Sequence, residues 1–142
     1  MKTYYRHLRP YTKIRSFMRG KGYYDMTLAA HANDKVVQIG VAVCSHGDEF
    51  TKAKGRKIAK FRLEFLPTFT FPRLSRRVTK DIHYYFKMLE AMIVNGRGTE
   101  IKNLVARQQK KFDVSELGIQ MKMEEQKREA QEMLKFLKKD SA

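Results

Sequence analysis

Between Val36 and Cys44 the chain alternates the branched aliphatics Val37, Ile39, Val41 and Val43 with Gln38, Gly40 and Ala42. No other feature limits the fold as much. A period of two puts the four aliphatic side chains on one face of a strand, while Gly40 and Ala42 leave the other face open to a closely packed helix or backbone. Residues 23–32 read as a preceding strand and Asn33-Asp34-Lys35 as the turn between them, which predicts an antiparallel hairpin.

Beyond this hairpin helical spacing dominates. Ser45-His46-Gly47-Asp48 reads as a turn into a helix capped by Ser45 or Asp48, with Phe50, Ala53, Ile58 and Phe61 as its apolar side. From Phe61 the period changes: Phe61, Leu63 and Phe65 alternate, and so do Phe69 and Phe71 after Leu66-Pro67-Thr68. A second hairpin and a helix continuing to Phe65 both fit. The clearest helix runs from about Ser75 to Asn95, where Val78, Ile82, Tyr85, Phe86, Leu89, Met92 and Ile93 keep the i, i+3, i+4, i+7 pattern until Gly96 and Gly98 end it. A shorter helix is expected over 100–111. Asp113 with Glu116 three residues on predicts a capped start to a final helix reaching about Lys139. Near the beginning, Thr12 to Gly20 reads as a short helix.

The expected class is α+β: an antiparallel hairpin or small sheet packed against amphipathic helices, with a long C-terminal helix. Two segments are expected, a basic α+β domain over 1–112 and the helix over 113–142. That helix carries Leu117, Met121, Met123, Ala130, Met133, Leu134, Phe136 and Leu137, with Gln126 and Lys127 interrupting a clean heptad. It either packs along its own domain or docks on a partner, including a second copy as a homodimer.

Composition narrows the function. The 142 residues carry 30 Lys and Arg against 15 Asp and Glu, a formal net charge of +15, more than solubility requires. An apolar fraction of 42% argues against wholesale disorder, and the longest apolar run falls short of the roughly 20 residues of a membrane span. A single cysteine, Cys44, excludes an intramolecular disulfide, and no basic-then-apolar signal segment opens the chain, so a cytoplasmic setting with no membrane is expected.

The charge is patchy. Residues 1–23 hold Lys2, Arg6, Arg9, Lys13, Arg15, Arg19 and Lys21 with no acid, and residues 52–80 hold a second basic run with Glu64 alone among it. More than half of the bases fall in these two stretches, which points to a polyanion. Lys52, Lys54, Arg56, Lys57 and Lys60 share one expected helix, with Arg62, Arg76 and Arg77 (and Arg73 beside them) extending the basic surface toward a phosphate backbone. Tyr4, Tyr5 and Tyr11, interleaved with Arg15, are suited to stacking on unpaired bases.

Other chemistries are poorly supplied. Cys44, His46, Asp48 and Glu49 gather within six residues, but His7, His31 and His83 sit on separate elements without the paired spacing of a zinc site. Acids are too sparse for a two-metal nuclease, and Gly20-Lys21-Gly22 lacks the remainder of a phosphate loop. No catalytic residue, metal or cofactor is therefore assigned, and no enzyme is expected.

One local pattern carries a resemblance. Val41-Ala42-Val43-Cys44-Ser45, then Asp48 and Phe50, then Gly55-Arg56-Lys57-Ile58-Ala59 and Arg62-Leu63, resembles a stretch of small, poorly characterised proteins of tailed bacteriophages, with Phe61 standing where a small residue is expected. The match covers about 25 residues. It implies a phage-encoded protein acting in the cytoplasm of a bacterial host and supplies no mechanism. The leading expectation is a small, non-enzymatic, nucleic-acid-binding accessory protein that holds the backbone of DNA or RNA without strong sequence specificity. The alternative is a module that binds and modulates a host protein, such as nucleic-acid-processing or transcription machinery.

Overall fold

A computed structural model describes residues 1–9, 23–44 and 51–140. The class is α+β. Four strands, β1 (Tyr4–Leu8), β2 (Met26–Ala32), β3 (Val36–Val43) and β4 (Phe69–Pro72), form one sheet in the order β1-β2-β3-β4, each pair antiparallel. Four helices accompany them: α1 (Lys52–Phe65), α2 (Val78–Val94), α3 (Gly98–Asp113) and α4 (Glu116–Asp140). The chain divides into two compact units, Met1–Gln108 and Gln109–Ala142.

The expected hairpin forms the centre of the sheet, with Met26 opposite Val43 and Ala32 opposite Val37. Its turn is closed by Asn33, whose Oδ1 accepts from the Lys35 and Val36 amides at 2.8 and 2.9 Å, an Asx turn that explains the Asn-Asp-Lys sequence. Two edge strands complete the sheet. β1 is one of them, paired with β2 from Tyr4↔Ala30 to Leu8↔Met26.

The alternation in β3 works as expected. Val37, Ile39 and Val41 join Leu8, Met26, Leu28 and Ala30 in a core completed by Ile82, Phe86, Leu89 and Ile93 of α2 and by Ile101 and Val105 of α3. On the opposite face Ala29 and Ala42 meet Ala59 and Leu63 of α1. Gly40 is what permits this approach, because a Cβ there would collide with the Ala59 carbonyl oxygen and the Leu63 backbone nitrogen. Gly55 of α1 is equally tight against the Thr27 side chain. The sheet is therefore covered on both faces, α1 on one side and α2 on the other.

Several boundaries differ from the expectation. Phe61, Leu63 and Phe65 are helical, so the second hairpin does not form: α1 runs on to Phe65, and β4 pairs with β3 instead. The buried side of α1 is Ala59 and Leu63, with Ala53 exposed, because the small face of the sheet accepts small residues and not a phenylalanine stripe. The N-cap position is Thr51, which makes no side-chain capping bond. The expected caps Ser45 and Asp48, the turn around them, Phe50 and the helix over 12–20 lie outside the described residues.

The long helix starts at Val78, three residues after Ser75, because Ser75 is used to close a loop. Its Oγ donates to Asp81 Oδ1 at 2.6 Å and accepts from the Arg77 amide at 3.2 Å. Buried Asp81 also accepts from Arg73 Nε at 2.6 Å and from the amides of Leu74 and Ser75 at 3.0 and 3.2 Å. Burial alone would raise its pKa, but the bonds from Ser75, Arg73 and the two amides outweigh it and hold the carboxyl well below the usual carboxylate range. At the far end Gly96, with φ of 78°, stops α2 as expected.

β4 is only four residues long, which leaves the edge of β3 that faces away from β2 without a strand partner beyond Ile39. Side chains replace it. Thr68 Oγ1 accepts from the Val41 amide at 3.1 Å, and Arg62 Nη1 donates to the Val41 carbonyl at 2.8 Å.

In the second unit α4 begins at a cap supplied by Ser115, not by Asp113. Ser115 Oγ accepts from the Gly118 amide at 3.1 Å, three residues on, whereas Asp113 is still the last residue of α3 and accepts from Gln109 Nε2 at 2.9 Å. Among the described residues no helix is long and apolar enough to cross a membrane.

Candidate nucleic-acid interface

α1 is fixed by its small face, and that decides where its cations go. Lys52, Lys54, Arg56, Lys57 and Lys60 are all exposed. Lys52, Arg56 and Lys60 follow one another at i+4 along one flank, roughly 6 Å apart along the axis. The first turn of α1 itself holds no acid to offset the positive end of the helix dipole. Among the described residues none of the five is in an ion pair. The pairs that do form, Arg6 with Glu90, Arg73 with Asp81 and Arg97 with Glu100, lie elsewhere.

The edge strand β1 brings His7, and Arg9 after it, to the same flank. Strand alternation sends Arg6 and Leu8 toward α2, where Arg6 meets Glu90 at 2.5 Å and Leu8 enters the core, and sends Tyr5 and His7 to the α1 side. His7 Nδ1 hydrogen-bonds with Thr27 Oγ1 at 2.9 Å, and Thr27 is the residue against which Gly55 packs. Burial, and then the charges of Lys52, Arg56 and Arg9, hold the His7 imidazole below its ordinary pKa. Lys52 and Arg56 of α1 and Arg9 after β1 thus all bear on the charge of one half-buried histidine at the sheet edge.

The expected residues divide accordingly. Lys52 and Arg56 gather around His7, with Lys54, Lys57 and Lys60 on the same exposed helix. Arg62 is half-buried and holds the Val41 carbonyl. Arg76 and Arg77 are exposed but precede α2, beyond the Pro72 end of β4, which pairs with Val36 beside the hairpin turn. The register places His7 and Thr27 at the opposite end of the sheet, where Thr27 faces Ala42. Arg73 is taken up inside the fold: besides Asp81 it donates to the carbonyls of Asn33 and Ser75 at 2.8 and 2.9 Å.

The tyrosines also separate. Tyr4 packs against the α2-side core with Lys2 Nζ 5.1 Å from its ring centroid, whereas Tyr5, 38% exposed, stands on the α1 side opposite Ala29. Neighbours on a strand face opposite ways, so the two do not form one stacking surface. Tyr11 and Arg15 lie outside the described residues.

His7 and Arg9 are the members that sequence reasoning passed over. A signal existed in the alternation of Tyr4, Arg6 and Leu8 with Tyr5, His7 and Arg9, but the density of bases and aromatics there obscured a strand. As for other chemistry, among the described residues no three His, Cys, Asp or Glu side chains converge as a metal would require. Cys44 is half-buried at the end of β3. A cleft of about 290 Å³, walled by Tyr4, Tyr5, Arg6, Thr79, Ile82, His83 and Phe86, has no carboxylate in its lining. No family model, curated protein or solved structure matches the chain.

Proposed function

We propose that the exposed flank of α1, together with Arg9 and Tyr5 at the edge of β1, is a contact surface for a nucleic-acid backbone, and that the protein is a small accessory factor binding DNA or RNA without strong sequence specificity. The observation that carries this reading is the row of exposed cations on α1, none of the five in an ion pair among the described residues, seated at the sheet edge by the packing of Gly55 on Thr27. Like charges held along one exposed flank by the seating of α1 on β2 and β3 repel one another, and a phosphate backbone relieves that repulsion on arrival.

The recognition is electrostatic. Lysine and arginine contacts to phosphate position a strand and release its counterions without reading sequence, and Tyr5 adds one ring on which an unpaired base can stack. Backbone contacts and stacking carry little sequence information, so the expected preference is for strand form and not for sequence. The resemblance to phage proteins adds a setting, action on nucleic acid in the cytoplasm of an infected bacterium.

The test is fluorescence anisotropy of nuclease-treated protein with labelled single- and double-stranded DNA and RNA across a salt series. Binding that weakens linearly in log–log salt and is indifferent to sequence supports the proposal. No binding at the lowest salt overturns it.

A further inference from the structure

We infer that Phe65 is a stacking platform for an unpaired nucleobase, so that the surface on α1 takes single-stranded nucleic acid in preference to duplex. This rests on the phosphate-binding reading of the same helix and adds to it the class of strand. α1 turns Ala59 and Leu63 onto the sheet, with Ile58 partly buried beside them. Phe61 is two residues from each of the buried pair, about 200° round the helix, and so stands on its outward side. Lys54, Lys57 and Phe65 fall within about 40° of Phe61 by the same spacing. The outward side of α1 is therefore one row about 16 Å long, two cations followed by two aromatic rings.

The rings are arranged as a platform and its brace. Phe65 is 42% exposed, whereas Phe61 is half-buried, with its ring centre 5.0 Å from that of Phe65 and the two planes at 42°. Contact with Phe61 restrains the exposed ring, so less rotamer freedom is lost when a flat partner arrives.

Charge selects the partner. Lys54 and Lys57 are exposed and, among the described residues, in no ion pair. The acid of this stretch, Glu64, lies next to Phe65, at the helix end where the dipole is negative. Anions thus favour the lysine end of the row, and the phenylalanine end suits an uncharged flat ring. A nucleic-acid strand supplies both, a phosphate backbone and a base attached to it. In a duplex the base faces are already stacked on their neighbours, so an unpaired strand is what presents one to Phe65.

The test is fluorescence anisotropy with single-stranded and duplex oligonucleotides on the full chain carrying Phe65→Ala or Phe65→Tyr. Loss of the ring is expected to weaken single-strand binding by about fivefold or more. Duplex binding and the log–log salt slope should stay as they are, because no phosphate contact is removed. Phe65→Tyr keeps a ring and is expected to keep the affinity. The chain has no tryptophan, so in Phe65→Trp the emission reports this position alone and is expected to be quenched by an unlabelled single strand and not by duplex. Single-strand binding that Phe65→Ala leaves unaltered, an equal loss on single strand and duplex, or emission of Phe65→Trp indifferent to single strands each overturns the platform while the phosphate surface stands. Absence of any nucleic-acid binding by the unaltered protein overturns both.

Discussion

Gly40→Ala places a methyl group where α1 touches the sheet. The new Cβ would overlap the Ala59 carbonyl oxygen and the Leu63 backbone nitrogen, with Leu63 Cα at 2.9 Å. These are backbone atoms, so no rotamer change relieves the clash. α1 has to withdraw by on the order of 1 Å, which forfeits a quarter to a half of the dispersion energy across that contact. Overpacking costs about 1–3 kcal/mol where neighbours can adjust, and this site belongs at the upper end. A loss of about 3 kcal/mol at about 4 °C per kcal/mol lowers the Tm by on the order of 10 °C. The control is Gly55→Ala, whose Cβ meets the Thr27 side chain. Thr27 can rotate, and replacing a helical glycine returns up to about 1 kcal/mol, so the expected fall is much smaller. Thermal melts followed by circular dichroism compare the two. Equal melting of Gly40→Ala and the unaltered protein, or a larger fall for Gly55→Ala, would refute the idea that close approach at Gly40 sets the position of α1.

Three other predictions concern single groups. Asp81 has its folded pKa depressed below the ordinary 3.8, so its contribution is complete above that value and fades as pH falls toward the folded pKa; Asp81→Asn should lower the Tm at neutral pH and flatten its acid-side decline, and an unchanged decline in a pH series of melts contradicts the assignment. His7, also depressed, favours folding above pH about 6.5 and costs stability as pH falls through that value. Its imidazole should titrate below 6.5 by NMR, Arg56→Ala should raise the midpoint, and added polyanion should raise it further. Ser115→Ala removes the cap of α4 and should cost that helix about 1 kcal/mol, read as faster amide exchange at Gly118 and Ile119.

The sheet was legible where burial on one face imposes a period of two. Val36–Val43 had to be a strand, and Gly40 and Ala42 announced the closely packed helix on its other side. What stayed hidden depends on partners distant in sequence. Tyr4–Leu8 mixes tyrosine with bases on an edge strand whose two faces serve different helices, so no single apolar face marks it. Phe61–Phe65 alternates as a strand would, yet it is helical because Ala59 and Leu63 fit the small face of the sheet. Arg62 and Arg73 read as surface charge and are bound instead to Val41 and Asp81, contacts that span 21 and 8 residues. For the candidate interface, the cations of α1 were evident from sequence, but their meeting with His7 and Arg9 was not, since it arises from the pairing of β1 with β2.

The central claim is that the flank of α1 is the phosphate contact. It is tested by comparing salt slopes for Lys52→Glu with Arg56→Glu against Arg76→Glu with Arg77→Glu, two charge reversals of equal size at opposite ends of the sheet. Each phosphate contact removed should reduce the log–log slope by about 0.9 on duplex or about 0.7 on single strands. The α1 pair is expected to lose nearly two contacts and weaken binding to every sequence alike, while the pair before α2 shifts affinity only through net charge. Equal slopes for the two variants, or a larger loss from Arg76 and Arg77, would contradict the account.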